Sequence, residues 1–212
     1  MEARTYHFLD RLIGGIDRTI KTLTVPPKAS PAPVSDASDA PLTPAERAES
    51  ARLMRVNHAG EVAAQALYQG QALTARSETI RTALQQSADE EHAHLAWCEE
   101  RIRELGGTVS FLNPVWYFGS FAIGALAGLF GDGVSLGFVA ETEAQVESHL
   151  TGHLGRMSVH DLKSRAILEQ MKQDEIRHGA KAIGLGGRPL PAPVAAAMRA
   201  TSKLMTRGSY WL

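Results

Sequence analysis

Two short segments of the chain carry the residues best suited to chemistry. Glu90-Glu91-His92-Ala93-His94 and Asp174-Glu175-Ile176-Arg177-His178 each contain Glu-x-x-His, as Glu91 with His94 and Glu175 with His178. On a helix, residues three apart share a face about one turn apart, so each segment aims one carboxylate and one imidazole the same way. The correspondence holds at an offset of 84: Gln86 with Gln170, Glu90 with Asp174, Glu91 with Glu175 and His94 with His178. Glu61 lies 30 residues before Glu91, and Glu143 lies 32 before Glu175. The chain therefore reads twice as a glutamate followed, about thirty residues on, by Glu-x-x-His.

Four carboxylates and two imidazoles suit a pair of divalent metal ions. The carboxylates offset the ionic charge, and bridging ones hold two ions roughly 3.5–4 Å apart. Mixed carboxylate and imidazole ligation favours iron over magnesium or calcium, while zinc and manganese are allowed by residue type. One Glu-x-x-His is weak evidence, because solvated helix faces produce it often. Two copies at matched spacing weigh more. Val56, Ala59, Val62, Ala63, Leu95, Val139, Ala140 and Val146 surround them and place them on core-facing helices. An unpaired buried carboxylate there would cost on the order of several kcal/mol, which a metal offsets.

Glu90 and Asp174, each four residues before a histidine, compete with Glu91 and Glu175, and Glu141 and Glu147 compete with Glu143. The matched intervals favour Glu143. Tyr68, seven residues past Glu61, shares its face, and His149, six past Glu143, lies about a third of a turn off. These two are the candidate catalytic residues, with His58 beside them. For each, a satisfied core or surface polar role is an equal reading.

Helices must position these groups. Thr43-Pro44-Ala45-Glu46 has the hydroxyl, proline and acid of a helix start. Helical patterns run over about 44–75, 77–105, 132–157 and 159–183, with Gly106-Gly107 and Gly184, Gly186 and Gly187 as stops. Nothing alternates with a strand period. The expected fold is all-α: a ferritin-like four-helix bundle, in which two helices give a Glu and two give Glu-x-x-His. Between Glu104 and Asp132 lie 27 residues without charge, long enough for the one long crossover of such bundles. Flanking segments complete the organisation: an N-terminal amphipathic helix within 1–23, a Pro/Ala/Ser-rich linker at 24–43, the bundle at 44–187 with its apolar segment at 107–131, and a basic amphipathic helix in 188–212.

At 212 residues the chain holds one domain with a sizeable core. A net charge of −1 gives no field for nucleic acid. From Ile176 onward there are six basic residues and no acid, which suits an anionic surface. Cys98 is the only cysteine, which excludes an intramolecular disulfide and any four-thiolate metal site of this chain. The first twenty residues lack an unbroken apolar run and contain Glu2, Asp10 and Asp17, unlike a secretory signal or transit peptide. A cytoplasmic bacterial protein is expected.

Arg55-Val56-Asn57-His58-Ala59-Gly60-Glu61, followed by Tyr68-Gln69-Gly70-Gln71, closely resembles the demethoxyubiquinone hydroxylase family of ubiquinone biosynthesis. Ala140-Glu141-Thr142-Glu143 with His149, and Asp174-Glu175-Ile176-Arg177-His178-Gly179-Ala180, extend the resemblance over about 45–212. It implies that Glu61, Glu91, His94, Glu143, Glu175 and His178 bind two irons, with Glu91 and Glu175 as bridges. It also implies a monooxygenase that uses O2 to hydroxylate 2-polyprenyl-3-methyl-6-methoxy-1,4-benzoquinol, with electrons from a nicotinamide or the reduced quinol. No Rossmann fingerprint is present for the nicotinamide. Implied partners are the polyprenyl benzoquinol lipid, other ubiquinone-biosynthesis proteins and, as an allowed state, a homo-oligomer.

A lipid substrate gives the uncharged segment a purpose. Five of the six phenylalanines fall between Phe111 and Phe138, beside Trp116 and Tyr117. Val115 to Gly131 is 17 residues, about 26 Å as helix against a bilayer core of about 30 Å. A peripheral element on the cytoplasmic side of the cell membrane is therefore expected, assisted by Arg199, Lys203 and Arg207. The rivals are a bacterioferritin-like ferroxidase, whose cage exterior would be polar, and a di-iron quinol oxidase.

Overall fold

A computed structural model describes residues 32–33 and 41–212. The expected N-terminal helix and most of the linker lie outside the described residues. Six helices follow one another: α1 (Pro44–Thr74), α2 (Glu78–Glu104), α3 (Asn113–Leu129), α4 (Asp132–Arg156), α5 (Leu162–Gly184) and α6 (Ala192–Trp211). Among the described residues there is no strand. Helices α1 and α2 pack as one hairpin and α4 and α5 as another, and the two hairpins meet through α1–α4 and α2–α5. The result is the ferritin-like bundle, with α3 as its long crossover.

Local signals explain the boundaries. The Thr43 backbone N–H donates to Glu46 at 2.9 Å, and the Glu46 N–H donates back to the Thr43 hydroxyl at 3.3 Å, closing a capping box at the start of α1. Helix α2 ends at Gly106, whose φ of 75° only glycine adopts freely. Helix α5 begins at Leu162, three residues later than the pattern suggested, because Asp161 is its cap. The Asp161 carboxylate accepts from Ser164 N–H at 3.1 Å and from Arg101 at 2.6 Å, tying α2 to the start of α5. Helix α6, the basic helix expected within 188–212, runs from Ala192 to Trp211. Its last turn is held by Tyr210 on Glu49 and by Arg52 stacked over Tyr210 and Trp211.

Helix α3 lies outside the four-helix core, laid along α1. Glycines make the approach possible. A Cβ at Gly70 would overlap the Phe121 carbonyl oxygen, one at Gly124 the Leu67 carbonyl oxygen, and one at Gly128 the Thr74 hydroxyl. Thr74 Oγ1 also donates across the contact to the Ala125 carbonyl at 3.0 Å. The far side of α3 is a continuous apolar stripe: Phe111, Val115, Phe118, Leu126, Leu129 and Phe130 are all exposed, Phe130 to 77%. No helix among the described residues is long and apolar enough to cross a membrane.

Two apolar clusters fill the bundle. One holds Leu53, Met54, Cys98, Leu150, Leu168 and Met171, and the other Tyr68, Ala72, Leu84, Ala88, Leu136 and Val139. A third, Val62, Ala66, Leu95 and Tyr117, joins α1 and α2 to α3. The backbone contact of α1 with α3 makes a direct test. Gly124→Leu should lower stability by about 2 kcal/mol or more, because the helices must separate. Gly119→Ala, where a Cβ meets nothing within 4 Å, should be neutral or add up to about 1 kcal/mol. Thermal melts of the two variants check this, and equal melting temperatures would contradict the packing.

Candidate metal centre

The two apolar clusters enclose a charged layer between them. Glu61 on α1, Glu91 and His94 on α2, Glu143 on α4, and Glu175 and His178 on α5 are all buried. Their ligand atoms fall into two groups within 4.8 Å of one another: Glu61, Glu91, His94 and Glu175, and Glu143, Glu175 and His178. Glu91 turns Oε2 to His94 Nδ1 at 2.8 Å and Oε1 to His178 Nδ1 at 2.9 Å. Glu175 mirrors it, with Oε1 at 3.4 Å from His94 Nδ1 and Oε2 at 3.3 Å from His178 Nδ1. Two carboxylates thus span both halves while Glu61 and Glu143 serve one half each, the arrangement a bridged metal pair requires.

The electrostatics agree with that reading. Burial, with Glu91 alongside, pushes the Glu61 carboxyl well above its ordinary range, and burial with Glu175 does the same to Glu143. Burial also opposes ionisation of Glu91, but His94 and His178 outweigh it and hold this carboxyl low. For His178, burial pulls the imidazole down, yet Glu175 and Glu91 push it up to about 11. Oε2 of Glu61 and Oε1 of Glu175 are buried without a hydrogen bond. Buried carboxylate oxygens without a hydrogen bond, among four carboxylates and two imidazoles converging on one space, fit two divalent ions.

Three of the four competing residues, Glu90, Asp174 and Glu141, find other partners, and Glu147 lies outside both ligand groups. Glu90 accepts from His178 Nε2 at 2.7 Å, and Asp174 accepts from His94 Nε2 at 3.0 Å. Both therefore sit behind the imidazoles rather than among the inner ligand atoms. Glu141 accepts from Gln145 at 2.7 Å and from Arg199 at 3.3 Å, which ties α6 to α4. Tyr68, fully buried, donates its hydroxyl to Glu143 Oε1.

His58 and His149 are outside both ligand groups. His58 Nδ1 accepts from Asn113 Nδ2 at 3.4 Å, joining α1 to the first turn of α3. His149 packs against His153 with ring centroids 3.9 Å apart, and its buried Nε2 has no hydrogen-bond partner. His153 Nδ1 in turn donates to Asn57 Oδ1 at 2.8 Å. Sequence reasoning missed His153, Asn57 and Asn113, because their partners come from other helices. The doubled acids Glu90-Glu91 and Asp174-Glu175 were the one available signal for the outer carboxylates.

Burial holds three of these imidazoles neutral: His58 and His149 fall to about 4 and His153 to about 2. Unfolded histidine titrates near 6.5. Between that value and about 4 the unfolded chain binds protons that the folded chain refuses, so stability is lost as pH falls through this window. His58→Asn should make the fall shallower by up to one proton, relative to the parent, between pH 6.5 and 4. Denaturant unfolding at stepped pH measures that slope, and identical slopes would contradict a neutral buried His58.

Sequence comparisons extend well beyond the site. Residues 48–209 match the family described as "Ubiquinone biosynthesis protein COQ7". Proteins named 3-demethoxyubiquinol 3-hydroxylase are similar over nearly their whole length. The one from Nitrosomonas eutropha is 55% identical over 205 residues, covering 96% of this chain and 99% of the relative. That of Nitrosococcus oceani is 54% identical with 100% of both chains covered, and that of Cupriavidus pinatubonensis 58% identical over 91% of this chain and 93% of its own. Helix order, the doubled Glu-x-x-His layer and near full-length similarity together place this chain in the ubiquinone biosynthesis protein COQ7 family.

Proposed function

We propose that the chain is an O2-dependent di-iron monooxygenase that hydroxylates the ring of 2-polyprenyl-3-methyl-6-methoxy-1,4-benzoquinol. The observation that carries this reading is a six-residue buried ligand layer in a chain whose near full-length relatives are named 3-demethoxyubiquinol 3-hydroxylase. Bound irons would supply activation of dioxygen, one atom entering the ring and the other leaving as water, with two electrons from a nicotinamide or from the reduced quinol. A storage ferroxidase is not favoured, since a cage has no use for the exposed apolar stripe of α3.

The chain's own residues position and seal. Glu61, Glu91, His94 and Glu175 would hold one ion, and Glu143, Glu175 and His178, with Glu91 across the middle, the other. Tyr68 fixes the orientation of Glu143 through its hydroxyl. The apolar layers on either side exclude water from the ligand layer, which strengthens every charge interaction inside it. His149, neutral and with Nε2 unpartnered, offers an acceptor for a proton of the quinol hydroxyl.

The exposed stripe of α3 supports a peripheral seat on the membrane surface, where the prenyl tail resides. An uninterrupted apolar face of this length marks a contact surface rather than solvated protein. Lys203 and Arg207 are exposed on α6, whose terminal Leu212 carbonyl accepts from Phe111 N–H at 3.1 Å and so joins it to the stripe.

Two experiments test this. A deletion strain complemented with the parent chain should regain ubiquinone, measured by mass analysis of extracted quinones. With Glu175→Ala it should accumulate the unhydroxylated precursor and bind little iron. His149→Ala should keep both irons and lose roughly 10²-fold in turnover, and full turnover with normal iron would remove His149 from the reaction. For the membrane, Phe118→Glu with Leu126→Glu should abolish co-sedimentation with anionic vesicles while high salt weakens that of the parent. Unchanged sedimentation would mean the α3 face is not the contact.

A further inference from the structure

The two halves of the ligand layer share a plan but not their surroundings. Each imidazole presents Nδ1 to the inner carboxylates and Nε2 to an outer one supplied by the opposite helix. Asp174 of α5 stands behind His94 of α2, and Glu90 of α2 stands behind His178 of α5. Such outer carboxylates fix the tautomer and orientation of a ligating imidazole and raise its basicity.

The outer pair is unequally held. The Asp174 side chain is only 10% exposed, and its Oδ1 accepts from Gln170 at 2.8 Å and from Arg177 at 2.5 Å while Oδ2 faces His94. The Glu90 side chain is 54% exposed, so water competes for it and its rotamers are freer. The inner ligands are matched in number, since Glu91 and Glu175 face both imidazoles, but Glu61 and Glu143 differ in what engages them. Glu61 Oε2 has His94 Nδ1 facing it, at 3.5 Å, whereas Glu143 Oε1 is engaged by the Tyr68 hydroxyl.

We propose that the layer is a pair of unequal metal sites: the half built on Glu61, Glu91, His94 and Glu175 fills first and holds its ion more tightly, and Asp174, clamped by Gln170 and Arg177, sets that order. Asp174 acts here as a positioning residue through His94. The half built on Glu143 and His178, backed by the solvated Glu90, fills second and exchanges its ion with solution. This inference rests on the two-metal reading of the layer.

The test is an anaerobic titration of metal-free full-length protein with Mn2+, followed by calorimetry and by the spin-coupled resonance of the paired ions. The parent chain should bind in two phases separated by roughly tenfold or more in affinity, with coupling growing only in the second. Asp174→Asn should weaken the first phase by about 10–100-fold, and Glu90→Gln should weaken only the second. Gln170→Ala keeps the carboxylate and removes one clamp, so a few-fold loss confined to the first phase is expected even where Asp174→Asn impairs folding. Two ions taken up in one phase by the parent, or both phases weakened alike by Asp174→Asn and by Glu90→Gln, would overturn the inequality. A parent chain that binds no divalent ion would overturn the two-metal reading itself.

Discussion

Four carboxylates and two imidazoles gathered in one buried layer are the constraint on which the rest of this structure depends. Left unpaired in a low-dielectric interior, such charges cost more than helix packing readily offsets. The chain meets that cost partly by mutual arrangement. Glu91 and Glu175 each face both imidazoles, and Glu61 and Glu143 are pushed toward their neutral forms. A pair of divalent ions would remove the remaining repulsion. Because every bundle helix contributes to this layer, the same contacts that build the site also bind the four helices to one another.

The layer needs dry neighbours, and both sides supply them. Leu53, Met54, Leu168 and Met171 close one side, and Leu84, Ala88, Leu136 and Val139 the other. Polar links stand beyond them or at their edges. Arg101 with Asp161 pins α2 to the start of α5, and His58 with Asn113 joins α1 to α3. His58 and His153 therefore work as neutral struts. Burial keeps both uncharged, which suits hydrogen bonding across helices.

Helix α3 solves a different problem. It must connect α2 to α4 over the outside of the bundle while carrying almost only apolar side chains. Glycines at 70, 124 and 128 let its backbone lie directly against α1, and Tyr117 anchors it by packing on Val62, Ala66 and Leu95. Val115, Phe118, Leu126 and Leu129 remain on the outer face. In the proposed function that face meets the lipid that carries the substrate, and the same helix thereby couples membrane contact to α1, which bears Glu61 and Tyr68.

Spacing along single helices was enough to determine much of this protein. The doubled Glu-x-x-His, the matched glutamates about thirty residues before each copy and the capping signals pointed to four core-facing helices and to the six residues the fold brings together. Those features are periodic within one helix, so the chain alone displays them. What stands behind each ligand was decided only in three dimensions. Glu90 and Asp174 looked like rivals of Glu91 and Glu175, because one position along a helix turns a side chain by about 100° and the linear order does not say what lies there. Packing α2 antiparallel to α5 sends each outer acid to the imidazole of the other helix. The same holds for Tyr68 on Glu143 and His153 on Asn57, pairs 75 and 96 residues apart. Partners so distant are chosen by how the helices dock, and helix docking is settled by the side chains of both surfaces at once.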